Sequence, residues 1–487
     1  MLTRGMPVTT RKPIEKVHFI TTPHGLEFGR VDAAIYSTPP AAFLWLSAHL
    51  ESKGIECRIQ DAYTKMLDLE TILKDIEDFQ PDVVGLSVFT IVWYDNAYLA
   101  AKIKERFPEV LLVMGGYHVN HSYEEVLQCE AVDYCLPLEG ETSLAELIEC
   151  LNAGDDPQKV KGLAWRENGN LVATEPRPPL HDIMTLPRFP YHKLMDHRYV
   201  PWCFSHSPKD RFMATITSRG CPNQCVFCDI GRTEGRRFRH FTAQRVADEM
   251  EYLHTEFGVN QIEFLDALFT TNNKRVIELC GILKERGLEL EWACASAIRF
   301  TDNQEMLDAM AETGCKKIFY GVESGNPAIL KRVKKLTTDQ VRKVIGMTKK
   351  AGILSHAAYI FGLPGDTPDT MEDTLAFAKS LNTDTASFSM AIPFKGTELY
   401  DLYKDKLIST DYREYQRSAV FKVDEYEPEY LEKMLIKAHK QYYLRIRYIL
   451  SRLGKIKSWH DLWIHVRIGL GFLLGKIRYK MGSHKED

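Results

Sequence analysis

Short runs of valine, isoleucine and leucine alternate with longer amphipathic stretches through the first part of the chain, a pattern that predicts strands separated by helices. VHFITTPHG, from Val17, is an apolar run closed by proline and glycine and reads as a buried strand leading into a loop. A helix is expected from Ala41 to Lys53, stopped at Gly54. The alternation continues with GIECRIQDAY as strand, LETILKDIEDF as helix, DVVGLSVFT as strand and NAYLAAKIKERF as helix, then strands at VLLVMGG and AVDYCLPLEGE. Near-continuous apolar strands with intervening helices predict a parallel sheet covered on both faces, a doubly wound α/β domain over residues 15–155. Such sheets bind ligands beyond the carboxyl ends of their strands, which here are the loops Thr22–Gly25, Phe89–Trp93, Gly115–His118 and Glu139–Thr142.

Residues 156–205 break the alternation. KGLAWRENGNLVAT predicts a β-hairpin turning at Asn168–Gly169, and the proline-rich stretch after it is expected to be an extended connector. Over 206–405 the alternation returns. Strands at MATITSRG, QIEFLD, LEWACAS, KKIFYGVES, SHAAYIFG and TASFSMAI are separated by helices near 242–256, 274–286, 303–313, 338–351 and 370–381. This run of βα units predicts a (β/α) barrel, partial or full, whose site lies at the strand C-termini. Cys221–Cys228, Asp266, Arg299, Glu323 and Gly362–Gly365 all fall at such ends. Asp266 and Glu323 each also read as acids stabilising a helix N-terminus.

Composition narrows the class. The 487 residues are 45% hydrophobic and 26% charged with a net charge of -4, an ordinary globular balance that gives nucleic acid no basic field to bind. No stretch of 18 apolar residues occurs, and MLTRGMPVTTRKPIEK lacks the apolar core of a secretion signal, so a cytoplasmic protein is expected. Charge is unevenly spread. Residues 431–487 hold 13 Lys/Arg against 4 Asp/Glu, so 406–487 is expected to be a basic amphipathic helical region. Trp463, Phe472 and Leu473 would add an apolar face, and 431–480 is a candidate for peripheral contact with the inner face of a membrane, which would favour a lipid substrate. A helical cap packed on the barrel and an RNA-binding face are the other readings of the same pattern.

Eleven cysteines in an intracellular chain point to thiols or metal ligands rather than disulfides. Cys221, Cys225 and Cys228 sit on one loop after a strand, in CPNQCVFC, where three thiols can converge on one soft metal centre. A tetrahedral zinc site would need a fourth ligand, whereas a 4Fe–4S cubane accepts three thiolates and leaves one iron open. The other cysteines (Cys57, Cys129, Cys135, Cys150, Cys203, Cys280, Cys294 and Cys315) lie on apolar segments and read as core. In the first domain, Gly115 and Gly116 allow a ligand close to the backbone, and His118 could bond to it or coordinate a metal; a plain turn with a solvated histidine is the alternative. No GxGxxG follows the first strand, which argues against NAD or FAD.

The CxxxCx-aromatic-C triplet, with Phe227 as the aromatic, resembles the radical S-adenosylmethionine (SAM) enzymes. FLDALFTTNNKRV, YGVESGNPAILKRVKK, YIFGLPGDTPDTMEDT and IPFKGTELYD are similar to further segments of that family, with Lys395 where proline is usual. The first domain resembles a cobalamin-binding Rossmann domain, with GGYH in place of GGxHP and without the DxHxxG that supplies a histidine to cobalt. The resemblance spans about residues 15–405 and is closest to the cobalamin-domain class that includes the anaerobic magnesium-protoporphyrin ester cyclases and radical C-methylases. It implies a 4Fe–4S cluster on Cys221, Cys225 and Cys228, SAM on its open iron, and cobalamin near Gly115, Gly116 and His118. It further implies adenine contacts at Phe227 and at Gly362–Pro364, with Glu323 on the SAM ribose or amino group.

The activity so implied is reductive cleavage of SAM to a 5′-deoxyadenosyl radical, fed by a one-electron donor of the flavodoxin or ferredoxin type, and methylation of an unactivated carbon in a small-molecule or lipid substrate such as an isoprenoid. Radical cyclisation or C–C coupling on a tetrapyrrole or membrane lipid, and a cofactor-binding sensor, are the alternatives. A methylthiotransferase would need a second cysteine cluster, and Cys57, Cys129, Cys135 and Cys150 lack its spacing.

Overall fold

The computed structural model describes residues 12–26, 37–201, 210–415 and 417–453. Its first sheet begins with five parallel strands, β1 (Lys16–Ile20), β2 (Glu56–Gln60), β3 (Val83–Ser87), β4 (Leu111–Gly115) and β5 (Tyr134–Leu136). They lie in the order β2-β1-β3-β4-β5, so the chain reverses direction across the sheet between β1 and β3. Val17, Phe19, Val84, Leu86, Leu112 and Met114 are buried, as strands covered on both faces require. The helices Ala41–Glu51, Leu69–Phe79, Trp93–Arg106, Tyr117–Val126 and Glu141–Ala153 connect them. The expected doubly wound domain is present.

The hairpin read into the linker is β6 (Ala164–Glu167) and β7 (Asn170–Ala173), and it extends this same sheet by antiparallel pairing of β6 with β5. The proline-rich stretch is more than a connector. Phe189, Tyr191 and Leu194 are buried, Phe189 packs edge-on against Trp45 at 4.7 Å, and Arg245 donates to the carbonyls of Met184, Leu186 and Pro187. It is a strap packed on a helix of each flanking domain.

The second sheet has six parallel strands in the order β8-β11-β12-β13-β14-β15: β8 (Phe212–Thr215), β11 (Gln261–Phe264), β12 (Glu291–Ser296), β13 (Cys315–Glu323), β14 (Leu354–Phe361) and β15 (Thr385–Met390). A short antiparallel ribbon, β9 (Ser218–Arg219) with β10 (Arg239–His240), brackets the cysteine loop. Thr242, Asn272, Asn303, Thr337 and Thr367 each cap the helix that follows by accepting a first-turn amide, so each of these five helices starts at a fixed point beyond its strand or loop. The barrel is thus partial, with all its strand C-termini at one end. Helix Pro428–Tyr443 packs along β15, and helix Ile446–Leu453 follows. Cys203 and the residues beyond Leu453, including Trp463, Phe472 and Leu473, lie outside the described residues.

Candidate active site

The cysteine loop is anchored before it begins. Asp266, just past β11, is buried and accepts from the Thr217 amide at 2.5 Å, the Thr217 hydroxyl at 2.6 Å and the Ser218 hydroxyl at 2.7 Å. Arg275 donates to the Thr217 hydroxyl from the other side at 2.6 Å. Asp266 is therefore a clamp on the strand exit. The helix-end reading fails, because Asn272 caps the following helix. Next along the chain, Arg219 is paired with Glu141 and lies 3.6 Å from Glu139, while Arg239 pairs with Glu139 at 2.5 Å. Acids from the loop after β5 thus grip both strands of the ribbon. Gly220 sits at φ 83°, where a Cβ would lie 2.2 Å from the Arg237 carbonyl oxygen, so only glycine fits.

Within the loop the Cys221 amide donates to the Gly235 carbonyl at 3.0 Å, and the Leu399 amide to that of Val226 at 2.8 Å. Burial pushes the Cys228 thiol up to about 12 and raises Cys225, with the nearby Lys334 ammonium opposing it there. Neutral thiols held in low-dielectric surroundings bind a soft metal with release of their protons. Among the described residues no three Cys, His, Asp or Glu side chains gather tightly enough around one point to hold a single ion. Three thiolates leave a tetrahedral zinc one ligand short, whereas they suit a 4Fe–4S cluster with one iron left open.

Glu323, the last residue of β13, is buried at φ 71°, a conformation strained for a residue with a side chain. Its Oε1 accepts from Lys334 Nζ at 2.9 Å, and the same ammonium donates to the Gly321 carbonyl at 2.7 Å. A Cβ on Gly321 would come within 2.2 Å of Glu323 Oε1. The partner of Glu323 is therefore an ammonium at the far end of helix Pro327–Lys334, whose N-cap is Asn326, and the helix-N-terminus reading fails here too. Arg299 donates to the carbonyls of Lys334 and Lys335, so it fixes the end of that helix and with it Lys334.

The loop after β14 wraps around one carboxylate. Gly362 and Gly365 have φ of 85° and 87°, and the Gly362 and Leu363 amides donate to Asp366 Oδ2 at 3.1 and 3.0 Å. Thr370 holds the other oxygen at 2.8 Å, and burial raises the carboxyl to about 6. Leu363, Val226, Ile329 and Val333 form a small apolar cluster against which Phe227 packs, with Pro364 next in the loop. Phe227 and the Gly362–Pro364 strand end are thus brought together.

On the other side, the Val88 amide donates to the Gly115 carbonyl at 2.8 Å and the His118 amide to Val88 at 3.0 Å. Gly116 has φ 100°, and a Cβ there would sit 2.8 Å from the Val88 nitrogen. His118 is not the solvated side chain of the simple-turn reading. It is buried, stacked on Trp93 at 5.2 Å and met edge-on by Tyr412 at 5.1 Å. Its Nδ1 lies 3.3 Å from the Thr90 hydroxyl, its Nε2 has no partner, and burial lowers its pKa to about 4, leaving the ring neutral at pH 7. An orphaned buried nitrogen beside a close backbone approach fits a bound corrinoid. Helix Tyr117–Val126 then reaches the cysteine loop, with His121 Nε2 3.1 Å from Asp229 Oδ2 and the Tyr117 hydroxyl 3.4 Å from Glu234.

Sequence reading passed over Arg275, His121 and Tyr412, whose partners are remote in the chain, and Lys334, whose acid lies back across a helix and a turn. Asp366 was within reach of it, directly following the Gly362–Gly365 turn.

A three-thiol loop at the strand ends of a partial parallel barrel, faced by a doubly wound domain, is the arrangement that the resemblance to cobalamin-domain radical SAM enzymes implies. The radical SAM superfamily model matches residues 215–378 and the B12-binding domain model residues 30–148. An uncharacterised methyltransferase of Pyrococcus horikoshii is 34% identical over 423 residues, covering 85% of this chain and 89% of that protein. The anaerobic magnesium-protoporphyrin IX monomethyl ester cyclase of Rubrivivax gelatinosus is 28% identical over 388 residues, 77% of this chain and 68% of that one. The structure of the cobalamin-dependent SAM radical enzyme OxsB, with aqua-cobalamin and SAM bound, has the same fold with a TM-score of 0.74 at 16% identity, over 92% of this chain and 69% of that one. The chain belongs to the cobalamin-dependent radical SAM methyltransferases. Its cofactors are a 4Fe–4S cluster, SAM and cobalamin.

Proposed function

We propose that the enzyme methylates an unactivated carbon of an apolar substrate, of lipid, isoprenoid or polycyclic type, held between the strand ends of the barrel and the β4 loop. The observation that carries this reading is the contact of helix Tyr117–Val126 with the cysteine loop through His121 and Asp229, which sets the corrinoid-side loop against the thiols. The walls nearby are aromatic. Phe89 is exposed beside Tyr117, and Trp93, Tyr94, Phe394, Tyr412 and Tyr415 lie behind them. Such walls favour a flat or branched apolar molecule over a charged one.

When bound, the cluster and SAM supply a hydrogen-abstracting radical and the corrinoid supplies the methyl group. The chain's part is to hold and to shield. Cys221, Cys225 and Cys228 ligate the cluster. Phe227, Gly362 and Pro364 line the adenine, and Glu323 takes the SAM ribose or amino group. Gly115 and Gly116 bring backbone against the corrinoid, with His118 beside it. The aromatic walls keep water from the reacting carbon. A flavodoxin- or ferredoxin-type donor supplies electrons. The described cysteines are all free, which fits work in the cytoplasm.

Counting products tests the reading. With methyl-labelled SAM and extracts of candidate apolar substrates, S-adenosylhomocysteine and 5′-deoxyadenosine should form in equal amounts, with the label in an extractable product. Formation of 5′-deoxyadenosine alone would replace methylation by cyclisation or coupling.

A further inference from the structure

We infer that helix Ile446–Leu453, at the end of the barrel away from the active site, docks the enzyme on an anionic lipid surface. The preceding helix fixes the location. Leu431 lies against Gly362 at the strand C-terminal end, where a Cβ would be 3.1 Å from its methyl carbon. Eleven residues on, Tyr442 donates to the Thr383 carbonyl at 2.6 Å, at the start of β15. That length of helix spans roughly 16 Å, from the active-site end of the barrel to its opposite end. There Tyr448 donates to the Asp384 carbonyl at 3.0 Å and packs with Tyr442 and Tyr443.

With Tyr448 turned toward the barrel, the other side of the helix carries aliphatic side chains in solvent. Leu444, Ile446, Ile449 and Leu450 are 66%, 77%, 42% and 63% exposed. Positions 446, 449 and 450 share one face at helical spacing. Along the sequence the charge of this stretch has one sign, because residues 433–460 hold eight Lys/Arg and no Asp or Glu. Exposed branched aliphatics in a basic stretch of chain match a surface that is apolar beneath and negative above, which is the chemistry of an anionic bilayer. Because the patch lies opposite the strand C-termini, docking here tethers the enzyme with its active site facing away from the lipid. Membrane contact and a membrane-lipid substrate are then separate questions, and this inference does not rest on the methyl-transfer reading.

Flotation of the full-length holoenzyme with vesicles of phosphatidylcholine plus phosphatidylglycerol, against phosphatidylcholine alone, tests it. Binding to the anionic vesicles is expected, weakening with salt, and an Ile449→Glu/Leu450→Glu variant should bind about tenfold more weakly or worse, with SAM cleavage unchanged. Failure of the wild type to bind, or equal binding by the variant, would overturn the inference. Two other results would also overturn it by naming a different occupant: a wild-type dimer that becomes monomeric in the variant, which means a second copy, or a lowered melting temperature, which means the chain's own segment after Leu453.

Discussion

The two faces that meet at the active site are built by opposite means. The barrel face presents side-chain donors on a loop fixed by charge: Asp266 and Arg275 hold its root, and Glu139 and Glu141 hold Arg219 and Arg239 of the ribbon. The face of the first domain presents backbone and rings, with Gly116 pressed on Val88 and a neutral His118 between Trp93 and Tyr412. A metal cluster is held by directional bonds to a few atoms, so its donors must not move. A large planar cofactor is held by area and close approach, so clearance matters more than any single donor. Substitutions should therefore act sharply on the first face and gradually on the second.

The largest effect is expected at the thiols. Cys221→Ala, Cys225→Ala or Cys228→Ala should each abolish SAM cleavage and remove the cluster, since two thiolates hold a cubane poorly. Iron analysis and the electron paramagnetic resonance spectrum of the reduced protein check this. A full cluster signal in any one variant would remove that cysteine from the ligand set.

That the thiols could be picked out from sequence while their supports could not has a physical cause. Cluster donors lie within eight residues on one loop, and strands announce themselves as local apolar runs, so CPNQCVFC and the order of βα units are local signals. The strap and clamps depend on distance in the chain. Arg219 meets Glu141 across 78 residues, and Thr217 meets Asp266 across 49. His118 is buried partly by Tyr412, far downstream, so no local pattern distinguishes it from a solvated turn histidine. The Glu323–Lys334 pair spans a turn and a helix, and acids at strand ends followed by helices look alike until their partners are seen.

That pair gives the next sharpest test. Glu323→Gln leaves the Lys334 ammonium buried without its counter-charge, which should cost about 3–5 kcal/mol of stability and weaken SAM binding. Adding Lys334→Met removes the stranded charge. If Glu323 touches SAM, the double variant should regain its melting temperature and still bind SAM weakly. If both properties return, Glu323 serves only to neutralise the lysine.

On the opposite face, Gly116→Ala forces a Cβ to 2.8 Å from the Val88 nitrogen at a positive φ, a strain of about 1–3 kcal/mol. Corrinoid retained after gel filtration should fall in proportion, while iron content stays at the wild-type level. Loss of iron would mean that the two faces are not independent.

The smallest expected effect concerns Asp366, whose carboxyl burial raises to about 6 from 3.8. A raised folded-state pKa means that the native protein binds more protons than the unfolded chain between those two values, so stability falls as pH rises through them. The contribution is fully present below about pH 4 and gone above the folded value near 6. Asp366→Asn keeps an acceptor for the Gly362 and Leu363 amides and can donate to the Thr370 oxygen, so it mimics the protonated acid at every pH. Relative to this variant, the wild type should lose about 1 kcal/mol between roughly pH 5 and pH 7. Paired thermal melts across that range read the difference directly. Parallel curves would show that the carboxylate is already ionised at the lower pH, with the two amides and Thr370 outweighing its burial, and the turn that carries Pro364 would then owe its shape to a charged anchor.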